Sequence, residues 1–578
     1  MTEFAPLHPG PDSRSCPDPV QADEIAPSLP PTESSMAAQV GVTSVGSLAL
    51  AACGGGGGSP TQSPPTAPPV VAPQGITPTQ ASRFLSQAAI GYSKADVLNL
   101  SDSGINRWLD GQFTVLRTQK FWDFLVANGY DAATNINTVN GFDPMVWSQL
   151  MGSGDLLRQR VGFALLDQWV VAVDGFGGSW RPFAMAAYLD VLWDNAFGNY
   201  RDLMEGVSTN AAMGLYLTFL GNTKSNPATG SIPDENYARE LMQLFTIGLV
   251  MLNMDGTPVM SGGVPVPSYS QADVSQAARV WTGYTHATSD NSTPARMRQP
   301  MAVVESRHET GATTFLGIAI PAGADTATAR KQALDGLFAH QNVPPFVSRQ
   351  LIQHLVTSNP SPGYVGRVAA VFANNGGGVR GDMKAVIRAI LTDTEARDDS
   401  QANSTTFGKV REPVVRLVQW AKAFEVTSPT QAWPFGNTTS TANRLGQSPG
   451  RAPSVFNWFR PGYAPAGLAS SDMVGPEFQI INEPSVVAYV NYMQGVIANG
   501  AGEAKPNYAA LIEIAPDSQK LLDELNLVLA ANQIGAGTIA QMKTALDTIA
   551  ATTAAGASSR IYAAILLVMA SPEYLVLR

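Results

Sequence analysis

From Thr77 onward, apolar residues recur at three- and four-residue spacing in one segment after another, a period that excludes an architecture built mainly on sheets. Ala81 to Ala89 reads as a first helix. Ser93 and Asp96 have capping-box spacing, and Gly104 to Phe113 reads as a short helix with Trp108 and Leu109 inward. Leu156 to Val173 and Ala186 to Phe197 are expected as long apolar helices. Ser270 and Asp273 cap another, whose Val274, Ala277, Ala278 and Trp281 share a face. Further helices are expected at 329–340, 347–358, 364–374, 381–396, 412–425, 517–531, 537–552 and 559–570. Strand-like alternation is scarce, and short hairpins are expected only within 256–269 and 301–320. The expected class is all-α: a large multi-helix globular body with a few short hairpins.

What precedes this body has no core-forming capacity. Residues 1–52 form a leader, rich at first in Pro, Ser, Asp and Glu and expected to be disordered, and 53–76 a Gly/Pro/Ser-rich tether. Residues 77–578 are expected as one helical domain, with 400–500 as a loop-rich lobe. Leu50-Ala51-Ala52-Cys53 resembles a bacterial lipoprotein cleavage box, in which the cysteine becomes the lipid-bearing first residue. The basic stretch that opens an export signal is missing, since Arg14 is the sole base before Cys53. The alternative is a disordered leader with a chance Leu-Ala-Ala-Cys. The box, the glycine spacer and the absence of later cysteines together favour the lipid anchor. Cys16 and Cys53 are the only cysteines, so a disulfide framework and a cysteine metal site are excluded for the body. The net charge of −10 divides equally between the leader and the rest, which leaves no concentrated basic surface for nucleic acid. No apolar run approaches the roughly 20 residues of a membrane helix, so membrane attachment is expected through the lipid alone.

The stretch richest in chemistry is Ser231-Ile-Pro-Asp-Glu-Asn-Tyr-Ala-Arg-Glu-Leu-Met-Gln-Leu-Phe245. It reads as one amphipathic helix, with Tyr237, Leu241, Leu244, Phe245 and Gly248 on the buried side. Ser231 and Asp234 have capping-box spacing, and Pro233 suits the first turn. Glu235 and Arg239 stand at i, i+4 and could simply pair. Asn236, Glu240 and Gln243 form a second polar row on the outer side.

The order of motifs along the body resembles the bacterial family called domain of unknown function 1800. The motifs are Ala81-Ser-Arg-Phe-Leu-Ser-Gln87, Leu157-Arg158-Gln-Arg160-Val161, Phe197-Gly-Asn-Tyr-Arg-Asp-Leu203 and Asp234-Glu-Asn-Tyr-Ala-Arg-Glu240. Gln271-Ala-Asp-Val274, Trp281-Thr-Gly283, Leu351-Ile352, Ser358-Asn-Pro-Ser-Pro362 and Arg380-Gly-Asp382 continue the series. Arg411-Glu-Pro413, Pro453-Ser-Val-Phe-Asn-Trp458 and Ser571-Pro-Glu-Tyr574 complete it. The resemblance implies a helical, usually exported protein without an established activity. It also implies a partner: the family is often encoded beside an exported protein similar to alkaline phosphatases and sulfatases (domain of unknown function 1501). One departure is His308-Glu309-Thr310-Gly311-Ala312-Thr313, where the family commonly shows His-Asp-x-Gly-x-Lys.

The expected function is therefore that of an exported, lipid-anchored protein of the cell envelope or periplasm, binding an extracellular ligand or the phosphatase/sulfatase-like partner. The alternative is a hydrolase in which Glu235, Glu240 and His308 act with Arg239 as the anion stabiliser. His308 joined to Glu240 or Asp234 would make a mixed N/O metal site, weighed against a plain structural hydrogen bond. The sequence specifies neither a metal nor a cofactor. His354 reads as a satisfied core histidine and His340 as a cation at a helix C-terminus. Gly446-Gln447-Ser448-Pro449-Gly450 matches the serine-hydrolase string, but Pro449 has no N–H for an oxyanion hole. Trp433, Phe435, Phe456, Trp458, Phe459 and Tyr463 are expected to staple a long loop, with a sugar-stacking platform as the alternative.

Overall fold

Thr77 opens the body with a reciprocal cap: its hydroxyl accepts from the Gln80 N–H at 3.2 Å, and the Gln80 side-chain oxygen accepts from the Thr77 N–H at 3.0 Å. The capped helix is Pro78–Ala88. The computed structural model describes residues 75–578, so the leader, Cys53 and nearly all of the tether lie outside the described residues. Among the described residues there are 24 α-helices, and strands occur only as four two-stranded antiparallel pairs. The class is all-α. The two other expected boxes form as well, Ser93 with Asp96 and Ser270 with Asp273.

The core is organised around the helix Leu156–Gln168, which packs against Ile105–Thr114, Arg181–Asp194 and Val343–Leu355. Gly162, in its middle, explains how closely its neighbour approaches. A Cβ at Gly162 would lie 2.4 Å from the Trp193 ring, which is itself buried and donates from Nε1 to Gln159 Oε1 at 2.8 Å. Gly162→Ala is expected to lower the thermal midpoint. Overpacking costs about 1–3 kcal/mol and outweighs the gain of up to ~1 kcal/mol in helix propensity. A midpoint equal to or above that of the wild type would show that Trp193 moves aside freely.

Three expectations are corrected. The helix expected to reach Val173 stops at Gln168. There the Tyr188 hydroxyl takes the Trp169 carbonyl at 2.7 Å, Trp169 stacks on Phe245 at 4.4 Å, and the Val173 N–H donates to Gly450 O at 3.0 Å. The β-branched residues Val170, Val171 and Val173 suit the extended path. The segment expected as one helix over 381–396 divides into Met383–Thr392 and Thr394–Arg397, because the Asp393 side chain caps the second piece.

The third correction concerns the stretch 231–245. The helix starts only at Asn236, runs to Glu240, and continues as a π-helix over Leu241–Thr246. Ser231 instead bridges to Asn226. Asp234 divides between tertiary and local partners: its N–H donates to Asn222 Oδ1 at 3.0 Å, its Oδ2 accepts from Thr218 Oγ1 at 3.0 Å, and its Oδ1 accepts from the Asn236 N–H at 2.8 Å where the helix begins. Tyr237, Leu241, Phe245 and Gly248 are buried as expected, and the wider π turn extends the inner face beyond them. Met242 and Thr246 become fully buried and Leu244 only partly so. The Thr246 hydroxyl donates to Leu241 O at 2.6 Å, which supports the wide turn.

Several helices were not anticipated, among them Phe121–Ala127, Tyr200–Ser208 and Glu483–Asn499. Within 424–482 the chain is largely irregular, and Trp433, Phe435, Leu445 and Phe459 are buried in the body. Of the six aromatics expected to staple this loop, Trp433, Phe435 and Phe459 do so, Trp458 and Tyr463 are half-buried, and Phe456 is exposed.

Candidate functional site

The four side chains singled out in the sequence fall into three environments. Glu235 and Arg239 lie near the surface and pair at 3.0 Å. The Glu235 carboxylate also accepts from Ser275 Oγ at 2.5 Å and from Gln271 Nε2 at 2.8 Å, both on the helix Gln271–Ala278. The Ser275 hydrogen bond first, then Gln271 and Arg239, hold this carboxyl below its usual range against a smaller desolvation cost. Arg239 donates to Gln271 Oε1 at 3.0 Å. The group is a closed ring of partners that fastens two helices.

Glu240 is different. The expected outward row does not exist at this position; the residue is 6% exposed and its Oε2 is buried without a partner among the described residues. It lies at the junction between α and π turns, where the helix face shifts. Burial pushes the Glu240 carboxyl up to about 7, with Arg239 opposing the rise. Tyr216 and Tyr269 are close enough that Glu240 contributes to the elevation of both phenols, after their own burial. A carboxyl with this value is divided between acid and base forms near neutral pH.

His308 is sealed elsewhere, 1% exposed. The Thr282 hydroxyl already donates to Arg279 O at 2.8 Å, so His308 Nδ1 carries the proton and donates to Thr282 O at 3.2 Å. Nε2 has no partner among the described residues. The adjoining space, bordered also by Arg279, Glu309 and Thr313, is about 10 Å³, near the minimum for one water. Glu309 is occupied by Ser225 Oγ at 2.7 Å and Arg279 at 3.5 Å. No hydrogen bond or ion pair joins His308 to Glu240 or Asp234. Among the described residues no three His, Cys, Asp or Glu side chains gather as a metal site would require.

A buried titratable cluster gathers residues to which, His354 apart, the sequence reading gave no role. Lys409, on a short strand paired with Val576–Leu577, is 4% exposed. Its Nζ donates to His354 O at 2.9 Å, stands 3.0 Å from Glu477 Oε1 and 3.7 Å from Glu412 Oε1. Glu412, at the N-cap of the helix Pro413–Ala423, accepts from Gln447 Nε2 at 2.7 Å. Arg160 reaches in from the helix Leu156–Gln168 and donates to the same His354 carbonyl at 2.5 Å. Asp167 accepts from Asn457 Nδ2 at 2.6 Å. Its other oxygen stands 3.7 Å from His354 Nδ1, beyond hydrogen-bond reach. Desolvation raises the Asp167 carboxyl well above its ordinary value, with the Glu412 charge adding to the rise. Desolvation also lifts Glu477, and it holds His354 well below its ordinary value, helped by Lys409 and Arg160. His354 is buried as expected, but its ring does not pair with Asp167.

The signal for this centre was present in Arg160 of Leu157-Arg158-Gln-Arg160-Val161 and in Glu412 of Arg411-Glu412-Pro413, charges set inside apolar or helix-opening contexts. Burial of such charges demands partners. Other single-residue readings resolve locally. His340 caps the helix Thr326–Ala339, and its Nδ1 accepts from the Asn342 N–H at 3.1 Å. Burial and Arg380 push His340 down, against the expected cation role. Ser448 is 1% exposed and accepts from the Thr438 N–H at 3.4 Å, in agreement with rejecting it as a nucleophile.

A cleft of about 490 Å³ lies elsewhere again, between the π-helix Ser148–Gly152 and the loop 425–433. It opens to solvent and its lining is mostly hydroxyl and amide.

A family profile described as "Protein of unknown function (DUF1800)" matches residues 83–576. No curated protein and no solved structure matches the chain.

Proposed function

Since the chain belongs to the DUF1800 family, a family of unknown function, we propose a function from the site itself: an exported envelope protein, lipid-anchored through Cys53, whose helical body binds an extracellular ligand or a phosphatase/sulfatase-like partner. The observation that carries the binding reading is that the four candidate catalytic side chains fall into three environments rather than one. Acid–base or nucleophilic catalysis requires groups converging within hydrogen-bond reach of one reacting atom. Here Glu235 and Arg239 satisfy each other, and His308 is enclosed with Thr282. A solvent-open polar cleft of about 490 Å³ lies within the range of ligand pockets. The anchor is supported by the box at Cys53 and the Gly/Pro spacer after it.

A hydrolase remains the second reading because one observation favours it. Glu240 sits at about 7, where a general acid or base works best near neutral pH.

The test uses a deletion strain and labelled palmitate. The wild-type chain is expected to take up label and Cys53→Ser to lose it entirely; an unlabelled wild type would overturn the anchor. Glu240→Gln, anchored and abundant as the wild type, is expected to restore the strain's envelope phenotype in full. Failure to do so at normal abundance would transfer support to the hydrolase.

A further inference from the structure

The cleft between the π-helix Ser148–Gly152 and the loop 425–433 has features that no fold requirement explains. Its walls are held rigidly by groups outside the lining. Glu503 gathers the loop, accepting from Ser428 Oγ, from the Thr430 N–H at 3.1 Å and from the Ala432 N–H at 3.3 Å. The Trp433 N–H donates to Ser428 Oγ at 2.9 Å. Opposite, Lys422 Nζ donates to Ser153 O at 2.5 Å and fixes the end of the π-helix. The walls meet where Gly152 faces the Trp433 ring: a Cβ there would stand 3.3 Å from Cζ2.

The loop is also strained. Glu425, Gln431 and Trp433 have φ of 49°, 60° and 39°, a region that costs about 1–3 kcal/mol for such residues and persists where surrounding contacts impose it. A π-helix on one wall and three left-handed non-glycine residues on the other are two independent departures from regular backbone. Both kinds of departure concentrate at ligand sites.

The lining decides the ligand's chemistry. Thr118, Gln119, Ser148 and Thr427 make no side-chain hydrogen bond among the described residues. Each hydroxyl or amide both donates and accepts, so the matching ligand group does both, as a hydroxyl does. The one charged lining residue is Glu425, and its Oε2 already accepts from Asn507 Nδ2 at 3.0 Å. With no cation in the lining, an anionic ligand has nothing to pair with. Trp433 is 3% exposed, so selectivity comes from the hydroxyls and amides rather than from ring stacking.

The geometry points to this cleft as a binding site for a neutral, polyhydroxylated ligand, a short stretch of uncharged glycan. The assignment rests on the binding reading given above and names its ligand class and place.

The test is calorimetric titration of the full-length protein with maltotriose, cellotriose and chitotriose. At least one is expected to bind at millimolar concentration or below. Thr427→Trp, at an exposed position that projects bulk into the cleft, is expected to weaken binding at least ~10-fold, with an unchanged thermal midpoint. Gln119→Ala is expected to weaken it by about three- to tenfold, the worth of one hydrogen bond. Binding by Thr427→Trp equal to that of the wild type overturns the site. Binding of acetyl-trialanine amide in the same cleft, with none of the trisaccharides bound, overturns the ligand class. The broader reading fails on a different result: Thr427→Trp fully restoring a deletion strain would mean that the cleft serves no binding function in the cell. If that variant fails to restore the strain while no trisaccharide binds, the glycan assignment alone is wrong.

Discussion

Lys409→Met is expected to destabilise the protein by about 3–5 kcal/mol, the cost of removing one partner from a buried ionic group. Lys409 Nζ is the cation nearest Glu477 Oε1 at 3.0 Å and Glu412 Oε1 at 3.7 Å, and it donates to His354 O at 2.9 Å. Methionine fills a similar volume but leaves two carboxylates, each 1% exposed, facing one another without their shared cation. Arg160 keeps its bond to the His354 carbonyl, so that oxygen is not orphaned. The loss is therefore electrostatic. Denaturant titration of Lys409→Met beside Lys409→Met/Glu477→Gln separates the contributions: the second change should recover part of the loss, because it removes one of the stranded charges. A single variant as stable as the wild type would mean that these carboxylates do not depend on Lys409.

Glu240→Gln is expected to stabilise the protein at pH 8 and to change it little at pH 4.5. The Glu240 carboxyl titrates at about 7 in the fold against 4.5 in an exposed chain. Between those values the native state holds a proton that the unfolded chain has released, so native stability falls as pH rises through the window. Above pH 7 the folded protein carries a desolvated carboxylate whose Oε2 has no partner. Glutamine keeps the shape without the charge. Discounted for solvent screening, the gain is on the order of 1–2 kcal/mol. Thermal midpoints of both proteins from pH 4.5 to 8.5 should diverge with increasing pH. Parallel curves would show that Glu240 is not held in its neutral form by the fold.

Both sites show where local pattern reading stops. Helical period and capping chemistry are local, so boxes such as Ser93–Asp96 and Ser270–Asp273 and most helices beyond residue 326 were legible. Ser231 and Asp234 carried the same spacing and failed, because Thr218 binds the Asp234 carboxylate and Asn222 takes its backbone N–H from the preceding loop. Glu240 stands three residues after the buried Tyr237 in the α-helical piece, so its inner place follows the ordinary helical period; the π turn, which no 3.6-residue template contains, affects only the residues after it. The Lys409 centre draws on residues between 160 and 477. Its arginines and acids were visible as motifs, yet their convergence is a property of tertiary packing alone. The cleft walls come from segments nearly 300 residues apart, and their polar residues look like any surface loop in the sequence.

The pairing of Lys409–Val410 with Val576–Leu577 carries a consequence for the order in which the chain can mature. The strand that positions Lys409 waits for a partner translated some 166 residues later. Until that partner arrives, the charges of Lys409 and Glu412 cannot be enclosed, and the helices around them have no settled interior. Loop closure over such a distance is slow, and the interval exposes apolar surface. A chain built this way is expected to complete the Lys409 centre only after Val576–Leu577 has paired.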